Sequence, residues 1–302
     1  MPDITGKNYK LLLINPRSQM IRKGIEFNLY TVYEPLGLAL VAALTPPHWE
    51  VEILDENFDP VTFREADLVG LTSFTSNAFR AYEIAQIFRT RGIPVVMGGI
   101  HVSMIPEDAL PFIDTVFTGE AEGAWAEVIA DFEAGRLKKR YDGGLPELDA
   151  IPKPRHDLAH PRLIYASVQT TRGCPMDCDF CTVSAFNGTR YRLREVKEIL
   201  DELESIPNRR VFFVDDNIIG HSRQTQEHAK ELFRGMILRK LDKEWFSQAG
   251  MNIAGDPELL GLAAKSGCKM LLLGIESERA ENLQEMHKNV NLKLGVKNYR
   301  KV

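Results

Sequence analysis

Cysteine is scarce in this chain, with four among 302 residues. Three of them, Cys174, Cys178 and Cys181, crowd into one stretch, and the fourth, Cys268, stands 87 residues beyond Cys181. That distribution excludes a disulfide framework spread over the fold. Long apolar runs are also missing. The longest near the N-terminus, LGLALVAAL (36–44), is too short to cross a bilayer, and the opening MPDITGKNYK lacks the apolar core of a signal peptide. Positive charge is not in excess: 37 Lys and Arg face 42 Asp and Glu, for a net charge of −5. This removes the chain-wide basic signature of a nucleic-acid binder. There are no internal repeats and no low-complexity tracts. A cytoplasmic location is therefore expected, where thiols stay reduced and a tight cysteine cluster reads as a metal site. Cys268 is expected as a small buried residue where a helix passes into a strand. The hydrophobic content of 44% suffices for a packed core in one or two domains.

The first half alternates short apolar runs with helical patterns. YKLLLIN (9–15), WEVEIL (49–54), DLVGLTSF (67–74), IPVVMGG (93–99) and IDTVFTG (113–119) read as strands, and EPLGLALVAAL (34–44) as a helix. A second helix is predicted with Ser76 as N-cap, Ala81, Ile84, Ala85 and Phe88 on one face, and Gly92 past its end. A third places Trp125, Val128, Ile129 and Phe132 at helical spacing. Five strands with intervening helices predict a doubly wound parallel sheet over residues 1–135. Residues 136–162 carry four prolines, two adjacent glycines and many charges, and read as a linker. The second half, 163–302, alternates again. Strands are predicted after Leu163 and at RRVFFVDDN (209–217), WFSQAGMNI (245–253) and KMLLLGIES (269–277). Helices are predicted on Val196, Ile199, Leu200 and Leu203, from Ser222 through Met236, and from Pro257 with Asp256 as cap and Gly267 beyond the end.

The three clustered cysteines lie in TTRGCPMDCDFCTV (170–183), between a strand and a helix, at the spacing C-x₃-C-x₂-C. Cys178 and Cys181 can face the same way in a tight turn, with Cys174 reaching in from the strand end. Such loops wrap a cuboidal iron–sulfur cluster in which each iron takes one thiolate, so three cysteines leave one iron open. A structural zinc site asks for four protein ligands, and His156, His160 and His221 make no zinc spacing with the cluster. A catalytic zinc could use three thiolates and a water, but no general-base set accompanies it.

Cys174, Cys178, Phe180 and Cys181, as C-x₃-C-x-aromatic-C, resemble the signature of the radical S-adenosylmethionine (SAM) enzymes. The resemblance implies a 4Fe–4S cluster whose open iron is chelated by the amino and carboxylate groups of SAM. It further implies reductive cleavage of SAM to a 5′-deoxyadenosyl radical. Asp215, Asp216 and Asn217 end the second strand of this half, where family members hold the SAM amino group. Phe180 in the cysteine loop, Gln248 in the third strand, and Gly274 and Glu276 at the end of the fourth, are implied as further SAM contacts. All lie at the C-terminal ends of parallel strands, where α/β folds bind ligands. No catalytic side chain beyond these is named.

The first domain has no G-x-G-x-x-G after its first strand, which argues against a dinucleotide site. Three polar loops share one sheet edge: LTSFTSN (71–77) with Thr72 and Ser73, MGGIHVSMIPEDAL (97–110) with Gly98, Gly99 and His101, and TGEAEGAW (118–125) with Gly119 and Glu120. Glycines there let backbone approach a ligand closely. With the 34–44 helix, the set resembles the cobalamin-binding domain fused to many radical SAM enzymes, and implies these seven residues as cobalamin contacts. The loop NPRSQMIRKG stands where a D-x-H-x-x-G motif would supply a lower axial cobalt ligand. His101 is expected to meet the loop or a phosphate rather than cobalt.

The whole resembles an α/β protein with a Rossmann-like cobalamin-binding domain followed by an incomplete radical SAM partial (β/α) barrel. About four of six βα units are readable, and KMLLLGI is expected as an apolar edge strand. The function implied is cobalamin-dependent methylation of an unactivated carbon. The alternatives are a radical oxidoreductase or cyclase without methyl transfer, and a cluster-binding module without turnover. Implied partners are a small-molecule or lipid substrate and an electron donor such as flavodoxin or ferredoxin, with neither nucleic acid nor a membrane span indicated.

Overall fold

The computed structural model describes residues 8–18, 33–149, 151–295, 297 and 299. The chain divides into two compact units, Met1–Pro146 with Ala150–Leu163, and Glu147–Asp149 with Ile164–Val302.

In the first unit the elements run β1 (Tyr9–Asn15), α1 (Leu36–Leu44), β2 (Trp49–Asp55), β3 (Leu68–Thr72), α2 (Ala78–Arg89), β4 (Val95–Gly98), α3 (Ile100–Met104), α4 (Pro106–Ala109), β5 (Thr115–Thr118), α5 (Trp125–Glu133) and β6 (Arg140–Asp142). The strands form one parallel sheet in the order β2-β1-β3-β4-β5-β6. Leu11, Leu12, Leu13 and Ile14 are all buried, because both sheet faces are covered, which is why β1 reads as a continuous apolar run. Val69, Ile84, Phe88 and Met97 fill one face, and Leu13, Leu38, Phe117 and Trp125 the other. The strand order reverses at β1, flanked by β2 and β3, so the loops leaving β1 and β3 border the crevice that such sheets use for ligands.

Two expectations are corrected here. The segment 136–162 is more than a linker. Its β6 extends the sheet, with Tyr141 buried and its Oη donating to Asp131 Oδ2 at 2.9 Å. Further on, His156 Nδ1 meets Glu34 Oε1 at 2.8 Å, and Arg155 N–H donates to the Ala39 carbonyl at 3.0 Å. A three-residue edge strand needs only one buried side chain, so RYD carries no alternation to recognise. Ser76 is not a cap either. A 3₁₀ turn over Thr75–Asn77 precedes α2, and Asn77 fixes it by accepting from Phe74 N–H and donating to the Pro16 carbonyl, both at 2.8 Å.

The second unit contains β7 (Tyr165–Val168), β8 (Thr171–Arg172), α6 (Val183–Asn187), β9 (Arg192–Leu193), α7 (Val196–Ser205), β10 (Arg210–Phe213), α8 (Arg223–Leu238), β11 (Glu244–Ala249), α9 (Pro257–Lys265), β12 (Cys268–Leu273), α10 (Ala280–Glu285) and α11 (Asn289–Leu294). Four strands make a parallel sheet, β12-β11-β10-β7, and β8 pairs antiparallel with β9 as a separate ribbon. Phe213, Phe233 and Trp245 anchor the core, the last two stacked with ring centroids 5.0 Å apart. The predicted cap of α9 is made, Asp256 Oδ1 accepting from Leu259 N–H, and Ser222, where α8 was predicted to begin, caps it by accepting from Thr225 N–H through Oγ. Among the described residues β12 pairs with β11 alone, and Met270 and Leu272 are exposed. Cys268 opens β12 half-buried, and burial pushes its thiol up to about 11. No helix of the described residues is long and apolar enough to cross a membrane.

Lys230 of α8 holds the start of α9. Its side chain is only 9% exposed, and Nζ lies 2.8 Å from Asp256 Oδ2 and 2.9 Å from Glu258 Oε2. Bonding to Lys230 lowers both carboxyls below their ordinary values of 3.8 and 4.5. A lowered folded-state pKa means the unfolded chain binds protons first as pH falls. The stabilisation is therefore complete above about pH 4.5 and is lost as pH drops through the folded values. We expect Lys230→Met to lose stability at pH 7 and to show a shallower acid dependence than the parent. Urea unfolding at pH 7 and pH 3 checks this, and equal deficits at both would refute it.

Candidate functional site

The cysteine loop leaves the sheet just beyond β7. The ribbon of β8 and β9 draws its two ends together, pairing Thr171 with Leu193 and Arg172 with Arg192. Gly173 follows at φ +91°, where any Cβ would collide with the Arg190 carbonyl. Cys174 N–H then donates to the Gly188 carbonyl at 3.0 Å. Cys181 N–H donates to the Cys178 carbonyl at 3.0 Å, which is the tight turn that the C-x₂-C spacing predicts. Cys174 and Cys178 are half-buried and Cys181 is exposed. Burial raises the pKa of the first two thiols, and the charge of Cys181 adds to the rise in both.

Among the described residues no three His, Cys, Asp or Glu side chains converge on a point that one ion would fill. A cuboidal cluster asks for a different arrangement, with thiolates on separate irons. Three neighbouring thiols on one backbone-fixed loop fit that demand. Phe180 is 52% exposed, and Lys288 Nζ lies 5.6 Å from its ring centroid.

The Asp215–Asp216–Asn217 triplet splits. Asp215 is fully buried and is not available to a ligand, which corrects its expected role. Its carboxylate accepts from the N–H and Oγ1 of both Thr170 and Thr171, at 2.5–3.1 Å. Burial pushes its carboxyl pKa up, while those four donors pull it down. Asn217 is also turned inward: Oδ1 accepts from Gly250 N–H at 3.1 Å, and Nδ2 lies 3.0 Å from His221 Nε2. Asp216 between them is half-buried, takes a 3.0 Å bond from Asn187 Nδ2, and has its pKa raised by burial. Strand parity explains the split. Val211, Phe213, Asp215 and Asn217 are buried while Phe212, Val214 and Asp216 are not, so the inward period of β10 continues past its last paired residue.

Gln248 is exposed near the end of β11, and its carbonyl accepts from Ile218 N–H at 3.0 Å. Beyond β12, the Gly274 carbonyl accepts from Asn291 Nδ2 at 2.9 Å, and Glu276 adopts φ +59° with Oε1 3.0 Å from Lys288 Nζ. A non-glycine residue in that backbone region is held there against strain. The C-terminal rim of this sheet thus gathers the cysteine loop, Asp216, Gln248 and Glu276. Lys288 joins them unforeseen, because one lysine in a lysine-rich tail carries no distinguishing pattern.

In the first unit Thr72 ends β3 with Ser73 directly after it, and Gly98 ends β4 with Gly99 directly after it. Ser73 is 1% exposed, and its buried Oγ has no hydrogen-bond partner among the described residues. Gly99 sits at φ +100°, where a Cβ would lie 2.7 Å from the Ser73 carbonyl oxygen. An orphaned hydroxyl beside bare backbone on the ligand edge of the sheet fits a corrin nucleotide as implied. Gly119 N–H donates to Ser103 Oγ at 3.1 Å, and Glu120 is buried.

His101 meets its own and a neighbouring loop, as expected of it. Its Nε2 lies 3.0 Å from Tyr82 Oη and 3.2 Å from Asp108 Oδ2, and its Nδ1 lies 3.3 Å from Thr75 Oγ1. Both ring nitrogens are engaged inside the unit, so His101 ties the loop after β4 to α2 and α4 instead of presenting a ring nitrogen to a ligand. Most of the loop NPRSQMIRKG lies outside the described residues.

Residues 22–129 match the B12 binding domain family, and residues 168–301 match the Radical SAM superfamily. The bacteriochlorophyllide d C-12(1)-methyltransferase of Chlorobaculum tepidum is 32% identical over 303 aligned residues, covering 93% of this chain and 63% of that protein. The hopanoid C-2 methylase of Rhodopseudomonas palustris is 28% identical, over 87% of this chain and 52% of its own. The chain spans less than two thirds of the length of these relatives. The solved structure of the radical SAM methyltransferase TsrM from Kitasatospora setae, with cobalamin and a [4Fe-4S] cluster bound, superposes with a TM-score of 0.72 at 20% identity, over 94% of this chain and 64% of that one. That of the cobalamin-dependent radical enzyme OxsB gives 0.75 at 16% identity, over 93% and 45%. At those identities the likeness concerns the fold. A 4Fe–4S cluster, SAM and cobalamin are the cofactors of this domain pair. With a B12 binding domain ahead of a radical SAM domain, the chain belongs to the radical SAM superfamily, in its cobalamin-binding branch.

Proposed function

We propose that the chain carries the cofactor-binding domains of a cytoplasmic, cobalamin-dependent methyltransferase that acts on an unactivated carbon of a small molecule or lipid. The observation that carries this is the presence, in one chain, of a three-thiol loop on one sheet rim and the Ser73–Gly99 cradle on another. The curated relatives, named for methylation of a bacteriochlorophyllide and a hopanoid, support methyl transfer over the other radical chemistries.

When bound, the cofactors supply a one-electron reductant, a carbon radical source and a methyl donor; the protein positions them. Cys174, Cys178 and Cys181 would each hold one iron. Asp216 and Glu276 would accept from the ammonium and ribose donors of SAM, and the exposed Gln248 amide could do the same. Ser73 would hydrogen-bond the nucleotide tail of cobalamin, which Gly99 lets approach. The electron would come from a small donor of the flavodoxin or ferredoxin class.

The test is anaerobic reconstitution with iron, sulfide and cobalamin, followed by SAM, reductant and a tetrapyrrole or hopanoid acceptor. Deoxyadenosine together with S-adenosylhomocysteine is the expected outcome. Deoxyadenosine alone would favour an oxidoreductase or cyclase, and neither product from a chain with an intact cluster would rule out turnover.

A further inference from the structure

The acceptors gathered on the C-terminal rim of the second sheet leave one charge of SAM unmatched. Asp216 and Glu276 suit its ammonium and hydroxyl groups, but its methionine end also carries a carboxylate. Beside these acids and the cysteine thiolates, that carboxylate meets repulsion unless a cation faces it.

Lys288 is placed to be that cation. Its Nζ lies 3.0 Å from Glu276 Oε1, beyond the end of β12, and 5.6 Å from the ring centroid of Phe180 in the cysteine loop. It also stands over bare backbone, since a Cβ on Gly274 would lie 3.0 Å from it. One ammonium group thus reaches both the strand end and the cysteine loop, on a side chain only 18% exposed.

The fold fixes it there. Lys288 N–H donates to the carbonyl of the buried Leu283 at 2.8 Å, and the Lys288 carbonyl accepts from Asn291 N–H at 3.1 Å. The buried Asn291 amide in turn donates to the Gly274 and Ile275 carbonyls, both at 2.9 Å. The turn between α10 and α11 is therefore tied to the end of β12. Glu276 takes one hydrogen of an ammonium group that has three, so donors remain for a second acceptor. Other basic groups near the cysteine loop are engaged elsewhere. Arg190 pairs with Glu147, Arg192 donates to the Asn187 carbonyl, and His287 Nδ1 lies 3.0 Å from Asp179 Oδ1.

We propose that Lys288 binds the carboxylate of SAM through its ammonium group, while Glu276 holds that ammonium in place. Lysine suits the task because its compact charge carries donors that rotate to serve two acceptors together. The inference rests on the SAM reading above, and gives a partner to the group which that reading leaves unpaired.

The test uses the full chain reconstituted with iron and sulfide, and measures equilibrium binding under anaerobic conditions. The two ligands are SAM and decarboxylated SAM, which lacks only the carboxylate. Lys288→Met should keep its iron and bind SAM about ten- to hundredfold more weakly, the loss expected for one charge-assisted hydrogen bond. Its affinity for decarboxylated SAM should stay within about twofold of the parent's. Lys288→Gln, which keeps a donor for Glu276 but no charge, should show the same selective loss. Lys293→Met, which removes the lysine of α11, should leave both affinities unchanged. Equal losses for the two ligands would overturn the proposal, because Lys288 would then act through Glu276 and not on the carboxylate. So would a Gln variant that binds SAM as the parent does, a selective loss in Lys293→Met, or a Lys288→Met chain that folds but holds no iron. Failure of the unsubstituted chain to bind SAM while its cluster is intact is a separate outcome, which would remove the SAM reading and this inference with it.

Discussion

Cys178→Ala is expected to leave the chain folded but unable to hold its cluster. A three-cysteine site has no spare ligand, and the fourth cysteine, Cys268, begins β12 and is packed against the core. The loop itself should survive the substitution. Its closing bonds, Cys174 N–H to the Gly188 carbonyl and Cys181 N–H to the Cys178 carbonyl, use only backbone atoms. Iron should therefore fall from about four per chain to below one, with loss of the charge-transfer absorption near 400 nm (roughly, for iron–thiolate clusters) and of SAM cleavage, while the thermal midpoint of the cluster-free chain is retained. Iron and sulfide analysis after reconstitution decides it. A variant with a full cluster and undiminished deoxyadenosine production would show that the thiols of this loop are not the ligands.

Asp215→Ala is expected to cost stability on a scale few single substitutions reach. The carboxylate is fully buried and accepts two N–H and two O–H bonds from Thr170 and Thr171. Alanine would strand all four donors in the protein interior and leave a small void. Unpaired buried groups cost about 1–3 kcal/mol each, and loss of one partner from a buried charged network costs about 3–5 kcal/mol in all, since some donors find water or relax. We expect about 3–5 kcal/mol from urea denaturation. Asp215→Asn keeps the shape but gives up acceptor capacity, and should cost less, about 1–3 kcal/mol. Because Thr171 begins β8, the damage should also reach the cysteine loop and reduce cluster occupancy. A loss below about 1 kcal/mol for Asp215→Ala would mean that the two threonines are satisfied in some other way.

Much of this was legible in residue order because buried parallel strands announce themselves. YKLLLIN and VVMG have no polar face to disguise them, and all nine predicted strands are found in the two main sheets. The helix start at Ser222 and the cap at Asp256 were equally readable, since short polar side chains ahead of an apolar period have one main use. What stayed hidden depends on partners distant in sequence. Asp215 and Asp216 look alike as letters, and only the inward parity running from Val211 through Phe213 tells them apart. His101 was expected to meet its loop, but that Tyr82 and Asp108, from two other helices, are its partners could not be read from residue order. β6 was hidden by its brevity and its prolines-and-charges surroundings, and Ser76 by the extra turn that Asn77 inserts before α2.

The ribbon of β8 and β9 bears on how the protein matures. Small metal domains such as zinc fingers stay unfolded until the metal arrives, because nothing else holds their ligands together. Here protein–protein hydrogen bonds fasten both ends of the loop, and Asp215 bolts the strand that enters it. Iron and sulfide would then meet a finished acceptor, and only the short stretch from Gly173 to Thr182 has to adjust. A cell short of iron would accumulate a folded, dormant chain that can be charged later, where a metal-dependent fold would be lost to proteolysis before the supply returned.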